Sequence, residues 1–128
     1  MTSASVQPLD GHSVLIVEDE FLVAMMLADT LEDAGAAVVG PAATREEGLA
    51  LVASATMTAA VLDWNLAGAC SDVLARALRE KGVPFMIATG YGRVPEEFFG
   101  VPVIGKPFDP VRLVEELTRI VPGPGTTV

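Results

Sequence analysis

The strongest constraint on the fold of this 128-residue chain is a regular alternation of short apolar runs with helical segments. Five runs of mainly small and β-branched apolar residues predict strands, at residues 14–17, 36–40, 59–62, 84–88 and 101–104. Apolar residues at helical spacing, with start and stop signals, predict four helices, at residues 21–34, 44–54, 71–82 and 109–121. This repeated β-α order favours an α/β fold, a parallel sheet between two layers of helices with right-handed crossovers.

Local signals set the ends of these helices. Thr44 and Glu47 form a capping-box pattern, Ser71 is a predicted N-cap, and Asp109 precedes a proline at the first helical position. Gly35 and Gly82 are predicted helix stops. The connection over residues 90–100 has room only for a short helix near 95–99, and we expect it to be the most mobile part of the domain.

Composition and charge exclude several classes of function. The formal net charge is −9 without a basic cluster, so nucleic acid is not an expected partner. The apolar runs are too short to span a bilayer and no signal peptide precedes them, so no membrane association is expected. A single cysteine, Cys70, excludes an internal disulfide and suits a cytoplasmic protein. We expect Cys70 to be buried and unreactive, and His12 to be solvated.

Charged residues follow three of the predicted strands. Glu18 and Asp19 follow the first, Asp63 the third, and Lys106 the fifth. The carboxyl ends of parallel strands meet at one edge of a sheet, which is where such sheets bind ligands. Three carboxylates there would repel one another unless a cation such as Mg²⁺ joined them. With Mg²⁺ and Lys106, the formal charge of the predicted site is zero.

Each element of this site also has an ordinary interpretation when it is taken alone. The acid pair could serve the positive N-terminus of the first helix, and Lys106 could be a solvated lysine. Thr89, after the fourth strand, could be a turn residue or could reach an anionic oxygen. Trp64, beside Asp63, could shield a group on that carboxylate or simply pack.

Taken together, the pattern resembles the receiver domain of a bacterial two-component response regulator. The resemblance covers about residues 12–121, with flexible ends expected at 1–11 and 122–128. It rests on an acid pair after the first strand, an aspartate after the third, a threonine after the fourth and a Lys-Pro pair after the fifth. It implies a doubly wound, flavodoxin-like (βα)5 fold with strand order 2-1-3-4-5 and a short or mobile fourth helix.

The resemblance also implies roles for the site residues. Asp63 would be the phosphoacceptor, phosphorylated by a sensor histidine kinase or a histidine phosphotransfer protein. Asp19, Asp63 and the main-chain carbonyl of Asn65 would bind Mg²⁺, and Glu18 would act through water. Lys106 and Thr89 would hold phosphoryl oxygens.

Two features depart from the usual receiver pattern. Val103 stands three residues before Lys106, where receivers usually carry a switch Tyr or Phe, and the 90–100 link is short. Tyr91 is a candidate substitute for that aromatic, or only a cover for the site. These departures, with the sequence of residues 84–92, resemble a single-domain branch found in alphaproteobacteria.

The resemblance implies a stand-alone interaction switch or phosphate sink, with no external turnover and so not an enzyme in the usual sense. We expect no output domain after Val121 and therefore expect the effect to pass through an unknown downstream protein. One alternative is a degenerate receiver that acts as a docking scaffold without phosphorylation. Another is an Mg²⁺-dependent phosphatase with Asp63 as nucleophile, although Asn65 stands where such enzymes need a second acid.

Overall fold

The computed structural model describes residues 7–90 and 94–122, and it contains the predicted parallel sheet. Five strands run in the order β2-β1-β3-β6-β7, which is the predicted order once a small separate hairpin is set aside. These strands are β1 (Ser13–Val17), β2 (Ala37–Ala42), β3 (Ala59–Asp63), β6 (Phe85–Thr89) and β7 (Val103–Gly105). All four neighbouring pairs are parallel. The last strand begins two residues later than predicted.

Four α-helices cover the two faces of this sheet. They are α1 (Phe21–Asp33), α2 (Arg45–Ser54), α3 (Asp72–Lys81) and α4 (Pro110–Ile120). Helices α1 and α4 pack on one face, in a core that includes Leu31 and Leu113. Helices α2 and α3 pack on the other, with Val52 and Leu78 in the second core. Within the described ranges, no helix is long and apolar enough to cross a membrane.

The connection between β6 and β7 is short, as predicted. Its described residues contain one 3₁₀ turn at Glu96–Phe98, inside the predicted range of 95–99. Residues 91–93 of this connection lie outside the described residues. An α-helix follows each of the other four strands of the sheet, whereas the described part of this connection contains a single turn.

Most of the predicted capping signals are present. Thr44 Oγ1 accepts a hydrogen bond from the Glu47 amide at 3.1 Å, and Asp109 Oδ1 accepts one from the Val111 amide at 2.9 Å. Gly82 ends α3 with a positive φ of 77°. Ser71 does precede α3, but its side chain makes no capping hydrogen bond, so that part of the prediction is wrong.

The sequence patterns also missed a small antiparallel hairpin between β3 and α3. It pairs β4 (Asn65–Leu66) with β5 (Ala69–Cys70) around Ala67 and Gly68. Both turn residues have positive φ, 53° and 91°, which matches the twist of a two-residue hairpin turn. The hairpin places Asn65 and Cys70 directly after the strand that ends in Asp63.

Four other residues differ from their expected surroundings. Cys70 is exposed, because it lies on the short hairpin outside both cores. His12 is partly buried, and its Nδ1 lies 3.0 Å from Thr58 Oγ1 in a shared hydrogen bond. Leu9 is fully buried and its amide donates to Ala34 O, so the packed chain includes a residue before position 12. On α1, Leu22 is exposed although it follows the helical apolar spacing.

Candidate functional site

The ends of the two central strands bring the predicted acids together. Glu18 and Asp19 follow β1, and Asp63 ends β3, the strand beside β1 in the sheet. Each of the three side chains offers one carboxylate oxygen, and these oxygens all lie within 4.8 Å of one another. Glu18 and Asp63 are buried, with 2% and 5% of their surfaces exposed. The sheet edge therefore holds a compact group of three acids, as the strand-end pattern predicts.

Lys106 lies against this group from the end of β7. Its Nζ atom is 2.9 Å from Glu18 Oε1 and 3.4 Å from Asp63 Oδ2. Burial lowers the pKa of this lysine, but its pairing with the two acids outweighs burial, and the net direction is upward. Lys106 is therefore a charged partner of the acids rather than a solvated lysine. Glu20 Oε1, which the sequence argument did not single out, lies 3.7 Å from the same Nζ.

The surroundings of Asp63 oppose its ionisation. Burial, a hydrogen bond with Asp19 and the charge of Glu18 together raise the pKa of Asp63 to about 7. The charge of Lys106 and the Asn65 amide, 3.3 Å from Asp63 Oδ1, act in the other direction but do not cancel the rise. One lysine is too little positive charge for three neighbouring carboxylates.

This arrangement fits a divalent metal ion. Hard cations such as Mg²⁺ take carboxylate and carbonyl oxygens as ligands, and a second source of positive charge would relieve the repulsion around Asp63. Both oxygens of Glu18 already have neighbours, since Oε1 faces Lys106 and Oε2 accepts a hydrogen bond from the Glu20 amide at 3.1 Å. The direct ligand roles predicted for Asp19 and Asp63 stay predictions. The role predicted for the Asn65 main-chain carbonyl stays a prediction.

An open pocket of about 330 Å³ adjoins Asp63. Thr89 lies on its wall, and the Thr89 carbonyl accepts a hydrogen bond from the Lys106 amide at 3.1 Å. The strand ends thus bring Thr89 and Asp63 to one cavity. Trp64, Asn65 and Cys70 also line it, so the hairpin forms part of the pocket wall.

Ser71 is a residue of this region that the sequence argument assigned to another role. It is completely buried, and its hydroxyl donates a hydrogen bond to the main-chain carbonyl of Asp63. Its own amide donates to Trp64 O at 3.1 Å. Ser71 therefore holds the backbone around Asp63, whereas its position before a helix pointed only to capping.

The position of the usual receiver switch residue is also defined. Val103 begins β7 and is 41% exposed, so it supplies no aromatic ring at that position. Tyr91, the candidate substitute, lies outside the described residues. Trp64 both lines the pocket and packs edge-on against Phe98, with ring centroids 5.6 Å apart, so the two interpretations of this residue are compatible.

Proteins with a similar sequence are known for this doubly wound α/β domain. No family model matches the sequence. The chain is 31% identical over 126 residues to the phosphate regulon transcriptional regulatory protein PhoB of Pseudomonas aeruginosa, covering 90% of this chain and 55% of the relative. It is 34% identical over 109 residues to the phyllosphere-induced regulator PhyR of Methylorubrum extorquens, covering 78% and 40%. The chain thus spans about half the length of these relatives.

Similarity to one solved structure extends over nearly the whole of that chain. The solution structure of SdrG from Sphingomonas melonis Fr1 is 39% identical, with a TM-score of 0.77, and the match covers 88% of this chain and 97% of SdrG. The chain belongs to the response-regulator receiver family. The family and fold predicted from the strand-end residues are therefore confirmed.

Proposed function

We propose that this chain is a phosphoacceptor receiver in which Asp63 takes a phosphoryl group from a phosphohistidine in an Mg²⁺-dependent reaction. The donor would be a sensor histidine kinase or a histidine phosphotransfer protein. The observation that carries the proposal is the position of Asp63, a buried acid between Lys106 and two further carboxylates that also borders an open pocket.

In phosphoryl transfer to Asp63, the protein mainly positions the reacting groups and balances their negative charge. An Asp63 oxygen bonds to phosphorus as the P–N bond to the donor imidazole breaks, and the imidazole keeps the electron pair and takes a proton from water. Lys106 is close enough to balance negative charge on the transferred group, and Thr89 borders the same cavity. Asp19, Asp63 and the Asn65 carbonyl would hold Mg²⁺, with Glu18 acting through water. The metal would neutralise phosphoryl oxygens as they approach the acids.

The same proposal covers the consequences of phosphorylation. The product is an acyl phosphate on the protein itself, so the chain would be no enzyme beyond its own phosphorylation and dephosphorylation. The added dianion would alter the surface formed by the 90–100 link, β7 and α4. The chain would act as a switch if a downstream cytoplasmic protein bound the altered surface, or it would act as a phosphate sink for a shared kinase.

Intact mass measured after incubation with Mg²⁺ and acetyl phosphate tests the proposal. We expect one added phosphoryl group on the natural protein and none on Asp63→Asn. Asp33→Asn, an exposed acid at the end of α1, is the matched control and should be labelled like the natural protein. Retained labelling of Asp63→Asn would reject Asp63 as the acceptor.

The absence of an adduct with both acetyl phosphate and a phosphorylated histidine kinase would reject phosphotransfer. If Mg²⁺ still bound, that result would favour the docking scaffold, to which the missing aromatic at position 103 also points. Turnover of a generic phosphomonoester would instead favour the phosphatase.

A further inference from the structure

The segment of residues 94–101, which carries the single 3₁₀ turn, is anchored in the core by Phe98. This side chain is 1% exposed. Its ring packs edge-on against Trp64 and Phe85, with centroid distances of 5.6 and 6.2 Å. The Arg79 guanidinium lies 4.8 Å from the centre of the same ring, a cation–π distance. Phe98 is thus the fully buried anchor of the segment in the second core, and the partly buried Val94 and Val101 pack against the same core.

A second attachment joins the segment to α3. Arg76 donates two hydrogen bonds to the Glu97 carboxylate, from Nε at 3.1 Å and from Nη2 at 3.0 Å. Its Nη1 also reaches Asp72 Oδ2 at 3.2 Å. Both partners are about half exposed, so the pair contributes little to overall stability, but two parallel hydrogen bonds fix orientation. The pair holds the residue before Phe98 in one place on α3.

Trp64 connects this anchor to the acid site. It follows Asp63 directly, and its amide donates to Ala88 O at 3.0 Å, so its backbone belongs to the end of the sheet. Its side chain lines the pocket beside Asp63 and touches the Phe98 ring. One indole therefore borders both the space that a group on Asp63 would enter and the residue that anchors the 94–101 segment.

We propose that the Trp64–Phe98 contact couples the occupancy of Asp63 to the placement of the 94–101 segment, and that the Arg76–Glu97 pair sets how firmly the segment is held. The inference rests on the proposed function, since it assigns a conformational response to the same site. A bulky anion on Asp63 crowds the pocket wall formed by Trp64, and the indole then shifts against Phe98. With valine at position 103, this contact supplies an aromatic route from the site to the surface.

The direction of the effect follows from linkage. With Asp63 as a carboxylate paired to Lys106, the structure has Phe98 buried and Glu97 clamped. These contacts stabilise the arrangement that an anion on Asp63 would disturb. Removing the hydrogen bonds between Arg76 and Glu97 therefore favours the alternative placement of the 94–101 segment. Because the coupling is reciprocal, the same change should tighten the binding of an anion at Asp63.

Beryllium fluoride with Mg²⁺, a phosphoryl-like probe for carboxylates, allows the coupling to be measured apart from phosphotransfer. Fluorine NMR reports whether the probe binds, and hydrogen exchange reports the segment through the amides of Phe98, Phe99 and Val101, each bonded within it. We expect a bound fluorine signal together with about fivefold or faster exchange at these amides. No bound signal would reject the proposed function and this inference together. A bound signal with unchanged exchange would reject the coupling alone.

Two variants test the route. Arg76→Gln removes the clamp and should lower the beryllium fluoride Kd by about three- to tenfold. Arg112→Gln is the matched control, because it removes an arginine that pairs with a glutamate on its own helix, Glu116 of α4, and it should stay within about twofold of the natural protein. Phe98→Leu keeps an apolar side chain but removes the ring contact, and should reduce the change in Trp64 fluorescence on probe binding. Equal Kd values for Arg76→Gln and Arg112→Gln, with an unchanged Trp64 response in Phe98→Leu, would overturn the proposal.

Discussion

The buried position of Asp63 at the end of β3 lowers the stability of the folded protein when this side chain is ionised. Its pKa of about 7 lies well above the usual range of an aspartate, chiefly because burial opposes the charged form. A folded state with a raised acid pKa binds more protons than the unfolded chain between the two pKa values. The protein therefore loses stability as pH rises from about 4 to about 7, and the loss is complete above that range.

Asp63→Asn removes this titration, so its effect on stability should depend on pH. In EDTA we expect the variant to be more stable than the natural protein by about 1–3 kcal/mol at pH 8, and to lose that advantage near pH 4. Denaturant unfolding at several pH values measures the difference. Asp33→Asn, an exposed acid, should show no comparable gain. A difference that did not vary with pH would contradict the raised pKa.

The hairpin and the start of α3 depend on the hydroxyl of Ser71. It is fully buried and donates to the Asp63 carbonyl, so Ser71→Ala would leave a buried acceptor with one hydrogen bond fewer. We expect this variant to lose about 1–2 kcal/mol in the free energy of unfolding. Ser54→Ala is the matched control, because the exposed Ser54 hydroxyl also donates to a carbonyl, that of Ala50 at 2.8 Å, and its loss should cost less than about 0.5 kcal/mol. Equal losses of unfolding free energy in Ser71→Ala and Ser54→Ala would show that the bond from Ser71 to the Asp63 carbonyl contributes no more than an exposed one.

The sequence predicted the elements whose signals are local. Apolar runs gave the sheet strands to within about two residues, and strand ends gave the acid group, because parallel strands must end at one edge. The hairpin has no such signal, since Ala67 occupies a positive-φ position that usually selects Gly or Asn. Tertiary packing, which has no local signal, directs the Ser71 hydroxyl to the Asp63 carbonyl and leaves it without a hydrogen bond from a helix amide. Helical spacing likewise could not tell the buried Leu27 from the exposed Leu22.

For the molecule as a whole, the acid group makes stability depend on ions. The chain has a formal net charge of −9, and three of its carboxylates converge on one edge of the sheet. A cation that binds only the folded arrangement stabilises it by mass action, by about 2.7 kcal/mol at a hundred times its Kd. We therefore expect Mg²⁺ to raise the unfolding temperature of the natural protein by several degrees above that in NaCl of equal ionic strength.

The same ion should affect Asp63→Asn much less, because the variant lacks one of the converging carboxylates. Without Mg²⁺, Asp63→Asn should be more stable than the natural protein. When Mg²⁺ is added, the variant should gain less stability than the natural protein does. Their stability curves should therefore approach each other, or cross, as Mg²⁺ is titrated at pH 8, and thermal unfolding over that titration measures this. Equal gains in both proteins would mean that Mg²⁺ stabilises the fold by screening its net charge, away from the acid group. A larger gain in the natural protein would locate the ion at the carboxyl ends of β1 and β3.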